Sequence, residues 1–128
     1  MADKKESFAK RSGTLIPEKF TRMPEECLHW IRITGEDLAK AEALWKYEEE
    51  NRKTVLASLK IKTGLKSDTG ADTKARASDE YQNYLSEYQS AFLEYAKLRH
   101  QMIWLRDKLA AWQTKSANER REIKAYGN

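Results

Sequence analysis

ASDEYQNYLSEYQSAFLEYAKLRHQMIWLRDKLAAW, residues 77–112, is the stretch whose spacing decides the fold. In it Ala77, Tyr81, Tyr84, Tyr88, Ala91, Tyr95, Leu98, Met102, Leu105, Leu109 and Trp112 recur at alternating intervals of four and three. That interval keeps side chains on one stripe of an α-helix and does not match the two-residue period of a strand. Its heptad spacing predicts packing along a partner helix at a shallow angle. A flanking row of Leu85, Phe92, Ala96 and Ile103 widens the stripe, so more than one helix is expected to pack on it. The helix is expected to run over about 74–125, capped by Asp72 or Thr73 and closing before Gly127.

Upstream, residues 64–73, GLKSDTGADT, have the composition of a connecting turn. Before that turn, Leu38, Ala41, Leu44, Trp45, Val55, Leu56 and Leu59 predict a second helix over about 35–63, with Gly64 as its stop. Thr34 and Asp37 have capping-box spacing at its start. The run from Glu48 to Thr54 contains no apolar residue. Pro24 followed by Glu25 and Glu26 predicts a short helix over PEECLHWIRI, against a competing strand reading of LHWIRI. Residues 1–23 read as an arm, basic at Lys4, Lys5, Lys10 and Arg11, with apolar anchors at Phe8, Leu15, Ile16 and Phe20. The expected organisation is therefore an arm with a short helix over 1–33 and a long antiparallel helical hairpin over 34–128, assembling into an all-α bundle.

Length and charge narrow the classes. A chain of 128 residues with five Gly, two Pro and one Cys fits one domain and argues against Gly-rich nucleotide folds and β-sandwiches. Against 20 acids stand 24 basic residues, arranged in blocks: residues 36–50 are acidic, 51–76 basic, 77–96 acidic and 97–128 basic. Such alternation suits helices side by side. The start has no apolar secretion core and no run approaches 18 apolar residues, so neither export nor a membrane partner is expected. The single Cys27 fits a reducing, cytoplasmic location.

Two helices of about 43 and 78 Å cannot cover each other end to end. An antiparallel turn near residue 68 lays 36–45 beside 91–100 and brings Lys60 and Lys62 near Arg76 and Ala77. The residues past about 104 overrun the first helix, so Trp104, Leu105, Leu109, Trp112 and Ile123 need either the N-terminal segment or a second copy of the chain as a cover. Tyr and Trp are enriched where surfaces meet a partner, so these five are the expected interface of a homo-oligomer. Opposite Tyr84–Tyr88 fall Glu48, Asn51 and Arg52. One reading is a Tyr, Glu and Arg network that fixes helix register; the other is an acidic face turned to water under tyrosine stems.

No phosphate loop, HExxH, CxxC, GxSxG or calcium-loop pattern is present. Cys27, His29 and His100 can supply at most three metal ligands where a structural zinc site takes four, and they read instead as a half-buried Cys and two surface or packing histidines. Glu48, Glu49, Glu50, Glu87 and Glu94 lack the Glu-x-x-His pattern of di-iron bundles. We therefore expect no catalysis, cofactor or metal. Lys60, Lys62, Lys66, Lys74 and Arg76 converge on one turn and its flanking helix ends, which suits either DNA phosphates or an acidic protein surface. A solvated loop is the competing reading. Lys115, Arg120, Arg121 and Lys124 form a second basic run. With no aromatic residue interleaved in either cluster, any nucleic-acid contact is of the backbone type.

The stretch Ala39–Lys60, together with ARASDEYQNYLSEYQSAFLEYAKLRHQM and WQTKSANERREIK, resembles the small helical proteins carried by tailed phages and prophages, often encoded near recombination and replication genes. The likeness covers about two thirds of the chain and lies in helical spacing, tyrosines and charge. It implies an accessory role in phage DNA metabolism or host interaction, placed in the host cytoplasm, with residues 1–33 outside the likeness. The expected function is thus a non-catalytic, self-associating module that contacts DNA backbone. The alternatives are an adaptor or inhibitor that binds an acidic host or phage protein, and a virion assembly component.

Overall fold

The structure, a computed structural model, describes residues 16–126. Among them three α-helices and no strand are present: α1 Glu25–Thr63, α2 Asp68–Ala77 and α3 Asp79–Tyr126. By its contacts the chain divides into two compact units, one of Met1–Leu38 with Ala96–Asn128 and the other of Ala39–Tyr95. The arm residues Lys4, Lys5, Phe8, Lys10, Arg11 and Leu15 lie outside the described residues.

The expected short helix is not a separate element, because α1 runs without a break from Glu25 through Thr34 and Gly35. Thr34 and Asp37 do not form a cap there; both are buried. Thr34 Oγ1 accepts a 3.0 Å hydrogen bond from Gln101 Nε2, which satisfies a polar atom inside the packing. A Cβ on Gly35 would stand 3.4 Å from Met102 Cε, so the glycine packs against α3 from inside α1 and does not begin the helix. The true start has Glu25 and Glu26 in the first turn, where carboxylates complement the helix dipole.

At its other end α1 stops where the sequence predicts, with Lys60 and Lys62 in the last turn and Gly64 at φ +69°. That left-handed conformation is inexpensive only for glycine. The expected turn over 64–73 is shorter, because α2 begins at Asp68. Its cap is Ser67, whose Oγ accepts from Gly70 N at 3.3 Å. Asp72 and Thr73, expected as caps of the long helix, lie inside α2 instead. The long helix starts at Asp79, not 74, after an extended Ser78. Ser78 serves both neighbours: its Oγ donates to Ala75 O at 2.6 Å and accepts from Tyr81 N at 3.2 Å.

In the Ala39–Tyr95 unit the core is Leu59, Ala75, Tyr81 and Tyr84, with Val55, Leu56 and Leu85 partly buried against it. Ala71 and Ala75, one turn apart on α2, are also buried. In the other unit Cys27, Leu98, Met102 and Leu105 form the apolar interior. Complete burial of a leucine is worth about 1.5–3 kcal/mol, so Leu98 and Leu105 are its principal anchors.

Candidate functional site

All five expected tip cations belong to the Ala39–Tyr95 unit. Lys60 and Lys62 occupy the last turn of α1, Lys74 and Arg76 the last turn of α2, and Lys66 the connection between them. Because Ser67 starts α2 where it does, Asp68 in the first turn of that helix and Asp72 one turn later face α1. Lys60 Nζ lies 2.8 Å from Asp68 and 4.0 Å from Asp72. Arg76 Nε donates to Asp72 Oδ2 at 2.8 Å, and Lys62 Nζ is 3.8 Å from Glu80. Three of the five cations therefore have internal partners, whereas Lys66 and Lys74 have no ion-pair partner among the described residues. Exposed pairs of this kind contribute about 0–1 kcal/mol each, but they lower the field that a phosphate would meet.

Two apolar side chains share this end of the unit. Ile61 is 81% exposed, between Lys60 and Lys62, and Leu65 is 48% exposed just past Gly64. Both escaped the sequence reading. The available signal was an isoleucine off the Val55, Leu56 and Leu59 row, beside a glycine stop, where burial on the unit's own core is not offered.

The centre of the same unit contains the tyrosines and polar residues that the sequence places opposite one another. Tyr84 donates its hydroxyl to the backbone carbonyl of Glu48, not to the Glu48 carboxylate. Burial pushes the Tyr84 phenol up, with Glu48 adding to the effect and Arg52 opposing it. Arg52 is held further into its charged form, first by the Tyr81 phenol beside it. Tyr81 Oη is nevertheless buried without a partner at good hydrogen-bond geometry, so the contact with Arg52 is an electrostatic approach more than an aligned bond. Trp45 stacks on Tyr95 with ring centroids 5.0 Å apart. The carboxylates Glu49 and Glu50, with Lys46 and Lys53, line an open depression of charged side chains.

The residues expected as an interface between copies fall in the other unit, and the structure separates them. Leu105 is 0% exposed and lies inside its own unit, where its carbonyl accepts from Cys27 Sγ at 3.2 Å; it is not available as a docking residue. Trp104 is partly covered by the N-terminal segment, its ring 6.1 Å from that of Phe20. Leu109 and Trp112 are half-buried and Ile123 is exposed. Burial pushes the Cys27 thiol up, which disfavours the thiolate. His29 packs edge-on to Trp30 and His100 is exposed; no group of three His, Cys, Asp or Glu residues gathers for a metal among the described residues. No known protein family, curated protein or solved structure matches the chain.

Proposed function

We propose that the chain is a non-catalytic, protein-directed binding module, built on an antiparallel helical hairpin, whose contact surface is the end of the Ala39–Tyr95 unit. The observation that carries this reading is the combination of Ile61 and Leu65 exposed beside cations that are largely engaged by Asp68, Asp72 and Glu80. A phosphate clamp has no use for exposed isoleucine and leucine and gains nothing from internal carboxylates. An acidic protein surface with an apolar pocket uses both features, the side chains as anchors and Lys66 and Lys74 as rim charges. The hairpin is supported unit by unit. Trp45 meets Tyr95 and Glu48 meets Tyr84 in one, while Cys27 meets Leu105 and Thr34 meets Gln101 in the other. In each, partners descend along α3 as they ascend along α1.

The experiment is affinity capture of partners by the wild-type chain and by two double variants, Ile61→Asp with Leu65→Asp, and Lys66→Glu with Lys74→Glu. The reading expects a stoichiometric, nuclease-resistant protein partner that is lost with the apolar pair and rebinds when purified. The unpaired Lys66 and Lys74 keep DNA backbone as the competing reading. It prevails if captured material is nucleic acid, released by salt and lost with the lysine pair but not with the apolar pair.

A further inference from the structure

The arginines of α3 are not spread evenly around it. All four, Arg99, Arg106, Arg120 and Arg121, lie in the unit of Met1–Leu38 with Ala96–Asn128, and all are exposed. Positions 99, 106, 113 and 120 are seven apart and 124 is four further on, so Arg99, Arg106, Gln113, Arg120 and Lys124 share one side of the helix, with Arg121 at its edge. The row extends over about 37 Å. None of its five cations has an acidic residue three or four positions away, and none has an ion-pair partner among the described residues. Arg120 Nε donates to its own helix, to the Ser116 carbonyl at 3.3 Å. The acids Asp107, Glu119 and Glu122 occupy other sides of α3, as do Lys97 and Lys115. Other exposed cations of the chain have a carboxylate four positions away, Arg22 with Glu26, Lys46 with Glu42 and Arg76 with Asp72. Such pairs serve a helix face that only has to stay hydrated. In the row, by contrast, Arg120 and Lys124 repel one another at that spacing, a cost that a bound anion removes. Lys124 also complements the C-terminal end of the helix dipole, but Arg99 and Arg106 are too far from that end to do so.

We propose that this row is a docking face for the phosphate backbone of duplex DNA, separate from the contact surface of the Ala39–Tyr95 unit. Charge complementarity selects that occupant. The planar guanidinium pairs bidentately with phosphate oxygens, and it is the arginines of α3, not its lysines at 97 and 115, that the row collects. A helical row free of carboxylates and about one duplex turn long matches a stiff, linear array of negative charge. Ala110 and Ala117 lie beside the cations, with Ile103 at the edge of the row, which is too little apolar surface to anchor an acidic protein. Between Arg99 and Lys124 no aromatic residue shares this side, so unpaired bases have no stacking platform. Contacts of this kind hold the backbone and read no sequence.

Fluorescence anisotropy of a labelled duplex of about 30 base pairs, titrated with the full chain at several salt concentrations, tests this inference. For five neutralised phosphates, log K is expected to fall against log salt with a slope of about −4 to −5. Arg99→Gln with Arg106→Gln should make that slope shallower by about 2 and weaken binding at low salt by roughly tenfold or more. Lys97→Gln with Lys115→Gln removes the same charge from another side of α3 and should weaken binding by no more than about two- to threefold. Lys66→Gln with Lys74→Gln, in the other unit, should leave duplex binding in place. Glutamine keeps helix propensity, and circular dichroism verifies that each variant is folded. Absence of duplex binding at about 50 mM salt, equal losses from the arginine pair and the Lys97 and Lys115 pair, or loss through the Lys66 and Lys74 pair alone would overturn the proposal. So would tighter binding of a single strand of the same length, or displacement of the duplex by polyglutamate as effective as by unlabelled duplex at matched charge.

Discussion

The two units draw on one heptad pattern and close in different ways. From Ala39 to Tyr95 the buried positions are tyrosine and alanine with Leu59; from Ala96 onward they are Leu98, Met102 and Leu105 against Cys27 and Thr34. Tyrosine brings a hydroxyl that has to be accommodated, and the first unit does so unevenly, with Tyr84 bonded to a Glu48 carbonyl and Tyr81 unpartnered. The second buries two polar side chains, Thr34, which is paired with Gln101, and Asp37, among aliphatic and sulfur groups. Spacing alone therefore says that a stripe is buried and leaves open how tightly it is sealed.

The largest expected effect separates the units by cavity formation. Leu105→Ala should lower unfolding stability by about 3–4 kcal/mol, since it empties a fully enclosed site, whereas Leu59→Ala, beside adaptable tyrosines, should lose about 2–3 kcal/mol. Urea titration followed by circular dichroism reads both. Equal losses would break the contrast.

A smaller effect lies within the tyrosine-rich unit itself. Tyr84→Phe should lose about 1 kcal/mol with the Glu48 bond, while Tyr81→Phe should be neutral or slightly stabilising, because it removes a buried hydroxyl without a partner. The same urea titrations decide, and a larger loss from Tyr81→Phe would mean that the Arg52 approach is a true bond.

How much of this was legible in the sequence follows the same division. The α3 stripe from Tyr81 to Leu105, the Gly64 stop and the all-α class were readable because heptad periodicity and a glycine C-cap are local signals. The continuity of α1 through Gly35 was not. Thr34, Gly35 and Asp37 imitate an initiation signal, and only the approach of Met102 and the Gln101 bond turn them into interior residues. Helix α2 was hidden by Gly70, Thr69 and Thr73, although Ser67 with Ala71 and Ala75 at helical spacing marked it. At the candidate site the five cations were identifiable from position, but their pairing with Asp68, Asp72 and Glu80 depended on the start of α2. The exposure of Ile61 likewise needed the core face of α1 to be known.

Two finer tests bear on the less tightly held features. Gly35→Ala should gain about 0.5 kcal/mol from helix propensity if Met102 yields, measured as a small rise in thermal midpoint; a loss would show that this approach is rigid. The tie of Thr21 to Glu26 is expected to depend on pH. The Thr21 hydrogen bond is the largest influence on Glu26 and holds its carboxyl below the usual range, so the tie is complete above the ordinary glutamate pKa and fades as pH falls through the lowered one. The Thr21 amide resonance should report that titration, and a midpoint at or above the ordinary value would contradict it.

The most direct test of the proposed contact surface is a photo-cross-linking residue at position 61, activated in cells that express the chain. The account predicts an adduct with a single polypeptide other than the chain itself, lost when Leu65→Asp is added. An adduct with nucleic acid, or one confined to a second copy of the chain, would contradict it.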